Sequence, residues 1–225
     1  MRTIQGIAVL DTLAELVDPR HSAVLVVDMQ NDFCHPEGHF PKNGKDVSAI
    51  TASVPALVDF VRAAQARGVM VVFIQQLTLP NGLSDSPAWL RFKCRDGKTP
   101  DYTLKGSWGA QFVEGLAPGP RDVVVEKFRP DAFFRTPLDG ILRARGIQSV
   151  VAVGNSTEGC VESTLRSASY HDYYVVAVMD LITSTNAVLH EGSQRFVRAR
   201  YPFATAAEVR AAWDTPHSRS DLPHA

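Results

Sequence analysis

The stretch VVAVGNSTEGCVESTLR at 150–166 decides how the rest of the chain is read. Val150, Val151, Ala152 and Val153 form a short, mostly β-branched apolar run, which reads as a buried strand. Gly154 breaks that strand, and Asn155, Ser156 and Thr157 supply turn and cap chemistry. From about residue 158, Val161, Leu165 and Ala168 recur at helical spacing, so a helix opens just past the strand end. Cys160 falls in its first turn, where unpaired N–H groups and the helix dipole favour a thiolate. Taken alone, a free cysteine is most often one more small buried hydrophobe.

Working outward, the same strand–helix unit recurs. Strands are expected at 23–27, 69–74, 122–126, 150–153 and 173–179, with a short sixth at 203–205. Helices are expected at 47–67 (stopped by Gly68), at 136–145 (Pro137 at a tolerated first-turn position, Gly146 past its end), at 189–200 and at 206–213. Residues 1–20 read as a lead-in closed by Pro19, 29–46 as a loop, and 75–108 as a long irregular connection of the kind that is usually functional or mobile. The alternation, without repeat or linker, predicts a single doubly wound α/β domain over 1–225. Its mostly parallel sheet carries helices on both faces, and its core spans about 20–213 ahead of a frayed polar tail.

Composition agrees with one large globular domain. At 225 residues, 45% hydrophobic and 21% charged, the chain has material for a sizeable core. A net charge of −1 gives no electrostatic reason to expect nucleic acid or an anionic membrane as partner. No apolar run approaches the roughly 20 residues that span a bilayer. The opening MRTIQGIAVLDTLAEL is interrupted by Gln5, Asp11 and Glu15 and does not read as a signal peptide. Three widely spaced cysteines (Cys34, Cys94, Cys160) are no disulfide framework, so a reducing cytoplasm is expected. The Asn-Ser-Thr sequon at 155–157 is then accidental.

The sheet logic gathers three residues into one site. Asp28 follows the first strand, Lys127 the third and Cys160 the fourth, so all three lie at carboxyl ends of parallel strands, where α/β sheets bind ligands. Separately, such an aspartate is a turn residue and such a lysine reaches for water. Together, a lysine and a helix N-terminus depress a thiol pKa, and a carboxylate accepts the thiol proton.

DMQNDF at 28–33, EKFRPDAFFRTPLDGIL at 126–142 and GNSTEGCVESTL at 154–165, in that order, resemble the isochorismatase-like cysteine hydrolases from about residue 23 to 213. The resemblance implies their three-layer α/β sandwich and an Asp–Lys–Cys triad at Asp28, Lys127 and Cys160. It also implies a non-proline cis peptide at Asn155–Ser156 and an oxyanion hole from the N–H groups of Ser156 and Cys160. Here Asn-Ser stands where relatives often have an aliphatic residue and then Ala, Thr or Ser.

Within the family, Cys160 argues against the vinyl ether hydrolysis of the isochorismatases, which do not need it. The nicotinamidases bind a metal through an Asp and two His near the second strand. This chain instead reads QQLTLPNGLSDS at 75–86, and His35 and His39 lack second-strand partners, so no metal is expected. The TPLDGILRARGI run at 136–147, CVESTLR at 160–166 and the Gly-x-Trp segment at 106–109 are most similar to ureidoacrylate amidohydrolases and related carbamoyl amidases. Those cleave amide or ureido acids without a cofactor. Arg129 is then a candidate for a substrate carboxylate, and Phe33, Gln76, Trp108 and Phe134 are candidate pocket walls. The expected partners are a small-molecule substrate and further copies of the chain, as dimer or tetramer.

Overall fold

Runs of β-branched residues build the centre of the molecule, whose computed structural model describes residues 1–215. In chain order the elements begin with β1 (Arg2–Ile4), β2 (Ile7–Val9), α1 (Leu13–Leu16), β3 (Ser22–Val27), α2 (Asn31–Cys34) and α3 (His39–Lys42). Then come α4 (Ser48–Ala66), β4 (Met70–Gln76), α5 (Pro87–Lys93), β5 (Val123–Lys127), α6 (Leu138–Ala144) and β6 (Ser149–Asn155). A π-helical turn at Thr157–Val161 leads into α7 (Glu162–Tyr170), β7 (Tyr174–Thr183), α8 (Ala187–Arg200), β8 (Phe203–Ala204) and α9 (Ala206–Trp213). The order β5-β4-β3-β6-β7-β8 is parallel throughout. The chain therefore grows leftward from β3 and then restarts on its other side with β6. That reversal opens a crevice at the carboxyl ends of β3 and β6.

Period-two alternation sends successive strand residues into two separate cores. Val24, Val26, Val71, Phe73, Val151 and Val153 pack on one face with α1, α4 and α9. Leu25, Val27, Val72, Ile74, Val150 and Ala152 pack on the other with α6, α7 and α8. The result is the helix–sheet–helix sandwich that the strand–helix alternation predicts. Among the described residues no helix is long and apolar enough to cross a membrane.

Local chemistry adds structure where the sequence pattern was silent. The lead-in holds a hairpin turning at Gln5 and Gly6, both at positive φ (51° and 82°), a two-residue hairpin turn of the kind that favours Gly at its second position. Thr12 and Glu15 then form a capping box on α1. The segment expected to be a loop at 29–46 contains α2 and α3, and the irregular 75–108 contains α5, whose start is written in its sequence as Ser86 at the N-cap and Pro87 in the first turn. The polar tail expected to fray begins at 214, and its residues beyond 215 lie outside the described residues.

Gly154 ends the run at the centre of the sheet. Its φ is +117°, and a Cβ there would sit on the Val27 carbonyl oxygen, in backbone that cannot give way. Gly192, inside α8, has nothing near its missing Cβ. Gly154→Ala should therefore destabilise the protein by more than about 2 kcal/mol, while Gly192→Ala should stabilise it by about 0.5–1 kcal/mol. Urea midpoints of the two variants against the parent check both signs.

Candidate active site

Asp28 follows β3 directly and takes positive φ (51°), a conformation that Asp tolerates better than most residues; its N–H donates to the Ile74 carbonyl at 3.1 Å. Lys127 is the last residue of β5, and in the β4–β5 register it lies opposite Gln76. Its Nζ donates to Asp28 Oδ2 at 2.7 Å, Gln76 Oε1 at 2.9 Å and the Arg129 carbonyl at 3.1 Å. An ammonium has three protons, so every one is placed. Lys127 is 0% and Asp28 1% exposed. Asp28 Oδ1 is buried and has no hydrogen-bond partner.

Cys160 arrives from the adjacent strand. The Asn155–Ser156 peptide is cis, and the Ser156 carbonyl accepts from the N–H groups of Gly159 and Val161 at 3.1 and 3.2 Å. Cys160 thus sits in a π-helical turn ahead of α7, and not in the first turn of a regular α-helix as its sequence predicts. Its thiol interacts with both Asp28 and Lys127. The structure also corrects the expected ionisation. Burial pushes the Cys160 thiol up to about 12; the Asp28 charge adds to this, and Lys127 offsets it only in part. The shift favours the neutral thiol of Cys160 over its thiolate. Burial likewise raises the Asp28 carboxyl, with Lys127 and Cys160 working against the shift, which makes it a better proton acceptor than an exposed aspartate. Burial opposes the Lys127 charge, yet Asp28 and Cys160 outweigh it and hold the lysine above its ordinary value.

The rest of DMQNDF turns out to build the site. Gln30 donates to the Gln76 and Ala110 carbonyls, each at 2.9 Å, and accepts from the Gln76 N–H at 2.8 Å. Asn31 donates to the Trp108 carbonyl at 2.9 Å. The Asp32 carboxylate accepts from the N–H of His39 at 3.1 Å and of Thr103 at 2.6 Å, pinning two loops at once. Asn155 closes the floor, its amide donating to the Asp28 carbonyl at 2.9 Å.

Those loops wall a cavity of about 340 Å³ that opens onto Cys160 and Ser156. Of the expected pocket residues, Phe33 and Gln76 line it. Trp108, Phe134 and Arg129 do not. Trp108 is 45% exposed with its ring against His35, and its carbonyl accepts from Asn31; Phe134 is 47% exposed beneath Arg135. The Arg129 guanidinium is held by the Ser84 and Phe128 carbonyls, at 3.1 and 2.6 Å, and by the Trp89 face. The walls come instead from Phe40, Trp89, Phe92 and Tyr102, with the cations Lys45, Arg95 and Lys98. Their only sequence signal was aromatic and basic residues inside two segments read as loops.

His35 Nδ1 accepts from the Glu37 N–H at 3.1 Å, and His39 Nε2 meets the Asn43 amide at 3.1 Å. Among the described residues no three His, Cys, Asp or Glu side chains gather as a metal would require. The residues present do not fit the metal of the nicotinamidase pattern.

Solved structures with this architecture include a cysteine hydrolase from Pseudomonas syringae pv. phaseolicola (25% identity, 88% of this chain and 95% of that one, TM-score 0.77). An isochorismatase-like hydrolase from Alkaliphilus metalliredigens is similar (27% identity, 86% and 100%, TM-score 0.74). So is N-carbamoylsarcosine amidase from Thermoplasma acidophilum (25% identity, 83% and 96%, TM-score 0.66). The family model of the isochorismatase domain matches residues 22–210. With the whole six-stranded sheet and all three strand-end residues inside that match, this chain belongs to the isochorismatase family of hydrolases.

Proposed function

We propose that the protein is a cysteine-dependent amidohydrolase that cleaves a C–N bond of a small amide, ureido or carbamoyl acid through a thioester. The observation that carries this reading is the unpartnered Oδ1 of Asp28: its sister oxygen is fixed on Lys127 at 2.7 Å, and the Cys160 thiol interacts with the same carboxylate. Proton transfer and attack are coupled. The thiol proton passes to Asp28 Oδ1 as the sulfur–carbon bond forms, and the carbonyl π pair moves onto oxygen. The N–H groups of Ser156 and Cys160 receive that oxyanion in this reading. As it collapses, the C–N bond breaks and the leaving nitrogen takes the proton from Asp28. Water then attacks the thioester, gives its proton to Asp28, and the returning sulfur recovers it. Lys127 moves no proton; it keeps Asp28 ionised while the thiol is still neutral.

Support for a C–N bond comes from the N-carbamoylsarcosine amidase likeness and from a nucleophile and shuttle placed as acyl transfer needs them. An ammonia-release screen over ureido, carbamoyl and aryl amide acids tests it. Release of pyruvate from a vinyl ether substrate, with every amide inert, overturns it.

The three residues should behave as one unit. Cys160→Ser should lower kcat by at least about 10³ with KM little changed, since this pair cannot ionise a hydroxyl. Asp28→Asn should cost about 10²–10⁴, and the double variant little more than either single one. Losses that multiply contradict a shared step.

Lys127→Ala has a distinct signature. Lys127 lowers the pKa of Asp28, so its removal lets burial raise that carboxyl further. Asp28 must be ionised to act, so the acid limb of kcat/KM should shift to higher pH as well as fall in height. A profile of unchanged shape would leave Lys127 without this role.

A further inference from the structure

The charge on the cavity wall is one-sided. Four cationic side chains line it: Lys45, Lys93, Arg95 and Lys98. Lys93 is matched, with Nζ 3.0 Å from Asp85 Oδ2 and both groups buried. Among the described side chains no carboxylate lies within salt-bridge distance of Lys45, Arg95 or Lys98. Glu158 is the acid that lines the cavity, tied through Oε1 to Ser184 Oγ at 2.9 Å; its buried Oε2 is unpartnered. Burial holds the His39 imidazole below its ordinary value, so it adds little positive charge at neutral pH. The Asp28–Lys127 pair beneath is neutral as a unit. An excess of positive charge therefore faces the space in front of Cys160.

Arg95 lies over the Phe92 ring at 4.5 Å, and Lys45 is held more closely. Its backbone N–H donates to the Phe40 carbonyl at 3.0 Å, and its ammonium lies 3.6 Å from the centre of the Phe40 ring. Phe40 packs on Phe33, and Phe33 on Tyr102, with centroids 4.7 and 5.8 Å apart. The ammonium is thus held at the end of an aromatic wall and half-withdrawn from water. Burial, followed by the nearby Lys98, lowers its pKa, and the charge of Glu158 offsets this only in part.

We propose that Lys45, backed by Lys98 and Arg95, receives a carboxylate of the substrate and so selects anionic amides or ureido acids over neutral ones. The assignment rests on the amidohydrolase reading of the site and gives to Lys45 the role that the sequence suggested for Arg129. A carboxylate in this position supplies a counter-charge at contact distance, which no described side chain gives Lys45. A charge-assisted contact of this kind is worth about tenfold or more in affinity.

The test compares 3-ureidopropionate with its methyl ester, a pair that differs in one charge. Binding to Cys160→Ala is measured by calorimetry, and turnover by the otherwise unaltered enzyme is followed by ammonia release. The acid should bind at least about tenfold more tightly than the ester, with the preference shrinking as salt rises. Lys45→Met should erase the preference, entering turnover through KM more than kcat; Lys45→Arg should keep most of it, and Lys98→Met should reduce it. An acid that binds no better than its ester, a preference that survives Lys45→Met, or no binding of either probe overturns the proposal. If the preference is present but no amide in the panel is hydrolysed, the anion site stands and the amidohydrolase reading falls.

Discussion

A lysine and an aspartate, both stripped of water, face each other at 2.7 Å in the middle of the carboxyl edge of the sheet. Burying two ions costs several kcal/mol each, and their attraction offsets this only when the remaining hydrogen-bonding capacity is met. Here it is met for the lysine, by Gln76 and the Arg129 carbonyl, and for one aspartate oxygen. The other oxygen has no hydrogen-bond partner, and the Cys160 thiol interacts with the same carboxylate. A pair of this kind is a poor way to stabilise a fold and suits the proton shuttle proposed for Asp28.

Much of the surrounding structure keeps that arrangement in place. The reversal of strand order puts Asp28 and the Cys160 turn on neighbouring strands, and Gly154 lets those strands touch where a side chain would collide with Val27. Gln30 locks the backbone of Gln76, whose side chain accepts from Lys127, so the lysine is positioned through two successive hydrogen-bonded residues. Asp32 ties down the loops at His39 and Thr103, which carry the cavity walls. The six-residue motif therefore holds the partner of Lys127 in its first position and the supports of the pocket in its third, fourth and fifth.

The strands, the two-faced sandwich and the strand-end positions of Asp28, Lys127 and Cys160 were legible because each follows from short-range periodicity and one topological rule. Several strands ran past their expected carboxyl ends, by one residue at β5, two at β4 and β6 and four at β7, which moved Lys127 inside β5 and Asn155 inside β6. The pocket was much less legible. Phe40, Lys45, Tyr102 and Lys98 lie in segments without periodicity and meet through the Asp32 tether and the packing of Phe33 on Phe40 and Tyr102, long-range constraints with no local signature. Trp108, Phe134 and Arg129 were attractive by residue type, but backbone carbonyls and neighbouring rings turn them elsewhere. The ionisation of the thiol was not legible either. The pull of a helix end and of a lysine can be read from the sequence, whereas the depth of burial cannot, and at Cys160 burial outweighs the lysine.

The account stands or falls on a covalent bond to Cys160. Enzyme mixed with an amide that it turns over, quenched in acid within the first turnovers and digested, should yield the peptide bearing Cys160 with one acyl group added in place of the thiol hydrogen. Cys34, buried behind Asp28, and Cys94 should be unmodified in the same digest. Steady turnover in Cys160→Ala, or an acyl group found on another residue while Cys160 stays free, would contradict the account.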